Sequence, residues 1–284
     1  MSLLSRDEIR IFIGPHQVDL VRLTGRGKRQ VADVRAVAFP ASATDKAPWH
    51  TALAALEALL AEFRDDKANV MVVLSNHFVR YVLVRHSAEA TTTDEEQALT
   101  HHYFTNTFGP AADLWEYRLS NSGHNEEFQV AAAVTPELPN ALRSLFGETK
   151  LILRSIQPHL MAAFNSVRNA IDESAWFALV EPGMLCLVRL DHSQWQFLRM
   201  INSRDDWIEE LTVNLLRAKV LAKETATEIP VYVFAPGYTE MQWSPLEHQA
   251  KDLFGANRMQ LLRPQPLSAD NLSTVPLFAM ALSG

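Results

Sequence analysis

Apolar residues in this chain follow two rhythms, and each rhythm predicts an element. Ile9–Ile13, Val18–Leu23 and Gln30–Phe39 alternate or run apolar over short stretches, as strands do. Trp49 to Phe63 instead places Leu53, Leu56, Leu59, Leu60 and Phe63 at helical spacing, which predicts an amphipathic helix. The run Val70-Met71-Val72-Val73-Leu74 then reads as a strand buried on both faces, and Phe78–Val84 as the next strand. The opening order is therefore βββαβ.

The middle of the chain alternates helix and strand signals. Thr93 and Glu96 have capping-box spacing ahead of a helix running to about Phe108, which Gly109-Pro110 ends. Trp115–Leu119 and Phe128–Val134 predict a strand pair, Pro136–Phe146 a helix, Leu151–Ser155 a strand and Gln157–Ile171 a helix. The opening order then returns. Trp176–Val180, Met184–Leu190 and Trp195–Met200 predict three strands. Asp205-Asp206 is placed to cap a helix over Trp207–Leu221, with Ile208, Leu211, Leu215 and Leu216 as its buried stripe. Pro230–Phe234 is the buried strand that follows, ending at the turn Ala235-Pro236-Gly237.

The repeat is sharpest at two glycines. Ile9-Arg10-Ile11-Phe12-Ile13-Gly14 leads into Val18-Asp19-Leu20-Val21-Arg22-Leu23, and Ala178-Leu179-Val180-Glu181-Pro182-Gly183 leads into Leu185-Cys186-Leu187-Val188-Arg189-Leu190. Composition narrows the picture further. The chain has 284 residues, 48% hydrophobic and 21% charged, enough apolar material for one large core or two medium ones. A net charge of -7 with no basic cluster argues against a nucleic-acid partner, which needs cations to replace counterions on phosphate. The lone Cys186 sits in an apolar strand, so no disulfide within the chain can form. No apolar run is long enough to span a bilayer and Met1–Arg10 is no secretory signal, so a cytoplasmic location is expected.

With its two strand-glycine-strand hairpins, the linking segment after Leu74 and the stretch Leu151–Ala170, the chain resembles PilM, the type IV pilus assembly protein. It is similar in the same way to the cytoplasmic domain of the type II secretion protein GspL and to the pilus protein MshI. The resemblance implies an α/β, bilobal actin-like ATPase fold: two ribonuclease H-like domains with repeated βββαβ units. It implies a first domain over 1–155, with an inserted small subdomain at about 85–150, and a second over 156–271. Val275–Leu282 looks like the final helix of that family, so 272–284 is expected to complete the first domain. The absence of a spanning helix before Gly284 makes the chain closer to PilM than to GspL or MshI. The implied partners are the cytoplasmic tail of a membrane-anchored PilN-like protein and an assembly ATPase, at the inner face of a bacterial inner membrane.

In actin-like ATPases an Asp stands two residues before each of these glycines, to handle metal and water. Here Phe12 and Glu181 stand there. Phe12 cannot ligate Mg²⁺, and Pro15 and Pro182 each remove a backbone N–H beside Gly14 and Gly183. At the adenosine side, Ala235-Pro236-Gly237 crowds an approach that paired glycines would leave open. These three places read as degenerate nucleotide loops, so no catalytic residue, no metal site and no cofactor are expected, with a nucleotide-binding or ATP-hydrolysing actin-like protein that takes ATP and Mg²⁺ as the alternative. His101-His102 cannot chelate one metal, because adjacent helical residues point about 100° apart. Ser75-Asn76-His77 reads as a polar turn bonding its own backbone. The candidate partner groove draws on Phe78, Val79, Tyr81, Tyr103, Phe104 and Phe108, with ordinary core packing as the competing reading.

Overall fold

The computed structural model describes residues 7–25, 29–40, 47–87, 92–120, 127–203, 207–222, 229–238, 259–262 and 280–282. They form two compact units: 1–79 with 135–166 and 264–284, and 80–134 with 167–263. This grouping takes the segment 80–134 with the second unit. It also carries the first through Ser166, where the sequence suggested a boundary at 155.

The first unit is built on a five-stranded sheet in the order β3-β2-β1-β4-β8. Its strands are β1 (Asp7–Ile13), β2 (Gln17–Thr24), β3 (Gln30–Ala38), β4 (Ala68–Leu74) and β8 (Ile152–Pro158). β1 pairs antiparallel with β2 and parallel with β4. Helix α1 (His50–Leu60) continues as a 3-10 turn, Ala61–Phe63, and buries Ala52, Leu56, Leu59, Leu60 and Phe63. Helix α3 (Glu137–Gly147) precedes β8, and α4 (His159–Val167) follows it directly. The strand expected to end at Ser155 therefore runs on to Pro158, and the helix starts two residues later than Gln157. β8 gains pairing with β4 as far as Leu74↔Pro158, and that ladder delays the helix.

The second unit repeats the sheet as β11-β10-β9-β12-β13. These are β9 (Ala175–Glu181), β10 (Met184–Asp191), β11 (Gln194–Asn202), β12 (Val231–Phe234) and β13 (Met259–Leu262). The pairing senses match those of the first sheet rung for rung: two antiparallel, then two parallel. Even an irregularity recurs. The second strand of each hairpin shifts register inside the tripeptide Val-Arg-Leu, between Arg22 and Leu23 in one and between Arg189 and Leu190 in the other. The extra residue lies on the third strand, Ala32 in one and Gln196 in the other, and such a bulge adds local twist. Arg22 bonds Asp7 and Asp66, whereas Arg189 lies over the Trp176 ring.

Helix α5 (Trp207–Ala222) covers one face of this second sheet, burying Trp207, Ile208, Leu211 and Leu215. Leu216, expected in the same stripe, is 60% exposed. It follows Leu215 by about 100° of helical rotation, which carries it past the edge of the apolar arc. The Asp205-Asp206 cap lies outside the described residues.

The same unit holds a three-stranded sheet, β5-β7-β6, formed by β5 (Arg80–Arg85), β6 (Glu116–Leu119) and β7 (Phe128–Val134). Helix α2 (Thr93–Phe108) packs on it. Its capping box is Thr92 with Glu95, one residue earlier than Thr93 with Glu96. Thr92 is the extended residue and accepts from Glu95 N at 3.3 Å, while its own N–H donates to Glu95 Oε2 at 3.0 Å. Three consecutive threonines share the spacing, and only the backbone turn-in point separates them.

Candidate functional site

The first glycine turn is set by the register of β1 on β2. Their last rung is Ile13↔Val18, and inside it Gly14 N donates to Gln17 O at 2.9 Å. That N–H is thus spent within the turn, and Pro15 has none to offer. Gly14 is buried, and a Cβ there would lie 2.8 Å from Phe12 Cε1, so the Phe12 ring lies back against its own turn.

Phe12 is 2% exposed and packs with Val21, Leu23, Val73, Ala162, Met280 and Ala281. Its ring meets that of His159, at the start of α4, edge-on at 5.3 Å. Residues 280–282 therefore close onto the first unit, and Arg10 Nη1 donates to Leu282 O at 3.1 Å. The remainder of 272–284, apart from these three residues, lies outside the described residues.

The acid that is missing from position 12 has a counterpart across the hairpin. Asp19 pairs directly with Phe12, and residues so paired share a face. Asp19 is 1% exposed, with Gln17 Nε2 donating to its Oδ2 at 2.9 Å. Burial pushes its carboxyl up to about 7, against the smaller opposing pull of Gln17. The sequence reading passed over this residue. The signal was available in an acid set inside the apolar run Val18-Asp19-Leu20-Val21.

Beside the turn, the polar stretch after β4 is occupied with the backbone, as a structural role requires. Ser75 N donates to Ile13 O at 2.9 Å, and Ser75 Oγ accepts from His77 N. Asn76 is fully buried, and its Oδ1 accepts from Leu160 N at 3.1 Å, holding the first turn of α4.

The second glycine turn is shorter. Glu181 pairs with Met184, leaving only Pro182 and Gly183 between the strands. Gly183 has φ +82°, and with Pro before it this is the signature of a type II turn. Glu181 is 2% exposed. Burial, with a smaller push from the Glu181 charge, raises the Cys186 thiol well above its ordinary value, so this thiol is an inert core group. Ala235-Pro236-Gly237 also forms a closed turn, with Tyr238 N donating to Ala235 O at 3.1 Å.

The six aromatic and apolar residues suggested for a partner groove are divided between the two units and, within the second, between the two faces of the small sheet. Phe78 and Val79 are buried in the first unit. In the second unit, Tyr103, Phe104 and Phe108 of α2 pack against Val82, Val84, Trp115 and Tyr117, with Phe104 fully buried. Tyr81 alternates with Val82 and so lies on the opposite face of the small sheet. Among the described residues no group of three or more His, Cys, Asp or Glu side chains could hold a metal ion. His101 instead pairs with Asp113 at 2.8 Å and His102 with Asn106.

No protein-family model matches this chain, and no curated protein matches it. Solved structures do. The PilM-PilN type IV pilus biogenesis complex matches with a TM-score of 0.68 at 16% identity, over 97% of this chain and 96% of that one. The cytoplasmic domain of EpsL, an inner membrane component of the Vibrio cholerae type II secretion system, matches at 0.56 and 12%, over 98% and 95%. A Bacteroides thetaiotaomicron protein of unknown function with an actin-like ATPase fold matches at 0.60 and 9%, over 90% and 91%. The fold of this chain is the actin-like ATPase fold, and its structure is similar to that of PilM and of cytoplasmic EpsL.

Proposed function

We propose that this chain is a non-catalytic scaffold of a type IV pilus or type II secretion assembly platform. On this reading it sits at the inner face of a bacterial inner membrane and binds the cytoplasmic tail of a PilN-like membrane protein. The observation that carries the proposal is the likeness to the PilM-PilN complex along nearly the whole chain. The first glycine turn supports the non-catalytic part. Hydrolysis of a nucleotide needs a metal-holding acid and fixed donors aimed at phosphate. At this turn Phe12 fills the acid's place, Gly14 N–H is engaged by Gln17 and Asp19 is buried beside an aromatic ring. Of the suggested groove residues, Tyr103 and Phe108 keep partial exposure and are the ones a partner could touch. Among the described residues no helix is long and apolar enough to cross a membrane. A contact with an assembly ATPase belongs to the same proposal and rests on the resemblance in sequence pattern alone.

The test is thermal unfolding with two ligands, accompanied by a phosphate-release assay. A peptide of the cytoplasmic tail of a PilN-like membrane protein is expected to raise the melting temperature with concentration. At a hundredfold excess over its dissociation constant the gain is about 2.7 kcal/mol. Mg·ATP is expected to leave the transition unmoved and release no phosphate. Phosphate release above the uncatalysed rate, or stabilisation by Mg·ATP with none by the tail, would replace the scaffold with an actin-like ATPase.

A further inference from the structure

One face of the first sheet carries a row of side chains set by pairing: Ala36 beside Asp19, then Phe12, Val73 and Gln157. The next row on that face runs Val34, Val21, Arg10 and Met71. The charged and titratable groups on this face are Glu8 and Arg10 of β1 and Asp19 of β2. Helix α4 adds His159, edge-on to Phe12, and β8 adds the exposed Arg154, bonded to Asn69. Residues 280–282 bring no ionisable side chain. The two buried acids are treated differently. Glu8 is paired with both Arg10 and Arg29, which suits a charge. Asp19 has the neutral Gln17 as its hydrogen-bond partner, and among the described residues no cation pairs with it. A carboxyl so placed is comfortable only with its proton.

We propose that Asp19 is a proton-operated catch: protonated, it lets residues 280–282 close over Phe12, and on losing its proton it releases them. An ionised Asp19 needs water, and the elements around it differ in what admitting water costs. β1 is bonded by ladders on both sides, and Asn76 holds the first turn of α4 through Leu160 N. Residues 280–282 are held to this face by apolar contacts and by the bond from Arg10 to Leu282 O. Local opening is cheapest where few elements must part, so the cover yields before the sheet does. The sign follows from linkage. Burial puts the closed-state carboxyl at about 7, against an ordinary 3.8. Closure is therefore firmest below pH 3.8 and is lost progressively as pH rises through 7.

Met280 reports on the cover directly, because it is 3% exposed when the cover is closed. Hydrogen peroxide converts a reachable methionine to its sulfoxide, and the thioether itself carries no titrating group. Mass spectrometry on the full chain follows Met280 and, as a control, the buried Met184 of the second unit. Oxidation of Met280 is expected to quicken by about tenfold or more between about pH 5 and about pH 8, with Met184 unchanged. In Asp19→Asn, which thermal melts at both pH values show to be folded, Met280 is expected to stay slow throughout. The parent series decides the matter alone if that variant does not fold. A Met280 rate that ignores pH overturns the proposal. So does an equal rise at Met184, which makes the opening global. A rise that survives in Asp19→Asn also overturns it and assigns the proton to another group, such as His159 or Glu8.

Discussion

The two glycine turns sit at the same place in two sheets of the same strand order, yet they are built by different physics. Each hairpin sets one buried acid against one large apolar residue across the strands: Phe12 faces Asp19, and Glu181 faces Met184. The acid has changed strands between the two. In the first turn it stands on β2, in the second on β9. The glycines differ as well. Gly183 is needed for its backbone, at φ +82°, in an exposed two-residue turn. Gly14 is needed for its missing side chain, because the Phe12 ring occupies the space a Cβ would take. One topology can thus place a glycine at equivalent positions for a conformational reason in one half and a steric reason in the other.

The largest effect that would break the comparison comes from forcing the two hairpins to match. Phe12→Glu would place two carboxylates opposite each other in a buried site while removing a core ring. A loss of at least about 4 kcal/mol in urea unfolding is expected. Adding Asp19→Met rebuilds the arrangement of the second hairpin and is expected to recover a measurable part of that loss. If the double variant is no more stable than the single one, the strand exchange of the acid has no energetic meaning.

Next in size is the cost of the Asp19 charge. Its folded-state value of about 7 lies above the ordinary 3.8, so the native state keeps a proton that the unfolded chain has lost. Stability from this group is fully present below pH 3.8 and falls as pH rises through 7. Asp19→Asn is therefore expected to stabilise by about 4 kcal/mol at pH 8, with the gain shrinking toward nothing at pH 4. A gain that is flat across this range in equilibrium unfolding would show that the carboxyl is not held neutral by burial.

The glycines give the smallest effects and the cleanest separation. Gly183→Ala is expected to cost about 1–2 kcal/mol in any background, since an L side chain is strained at that φ. Gly14→Ala is expected to cost about 1 kcal/mol in the parent and much less once Phe12→Leu has withdrawn the ring edge. A double-mutant cycle at each turn measures the difference: coupling to position 12 is expected for Gly14 and none for Gly183.

Most of the architecture was legible in the order of apolar patterns, because strand and helix periods differ and βββαβ occurred twice. The linking segments were less so. The cap of α2 fell to Thr92 because three threonines offered the same spacing and only the backbone path chose among them. Leu216 was misplaced because it stands at the edge of an apolar arc, where one residue's rotation decides between core and water. The suggested groove residues illustrate a further limit. An aromatic cluster along the sequence says nothing of sheet faces, and Tyr81 parts from Phe104 only through the alternation of β5.

By itself the sequence determined where the chain turns, which positions before the glycines lack or keep an acid, and which turn residues have no N–H to give. Those are properties of single residues and their neighbours. Tertiary structure decided what faces what. The rung that sets Asp19 against Phe12 depends on hairpin register. The cover that keeps the pair dry comes from α4 and residues 280–282, far along the chain. A carboxyl's charge state follows from the water it can reach, and that is fixed only when distant segments pack.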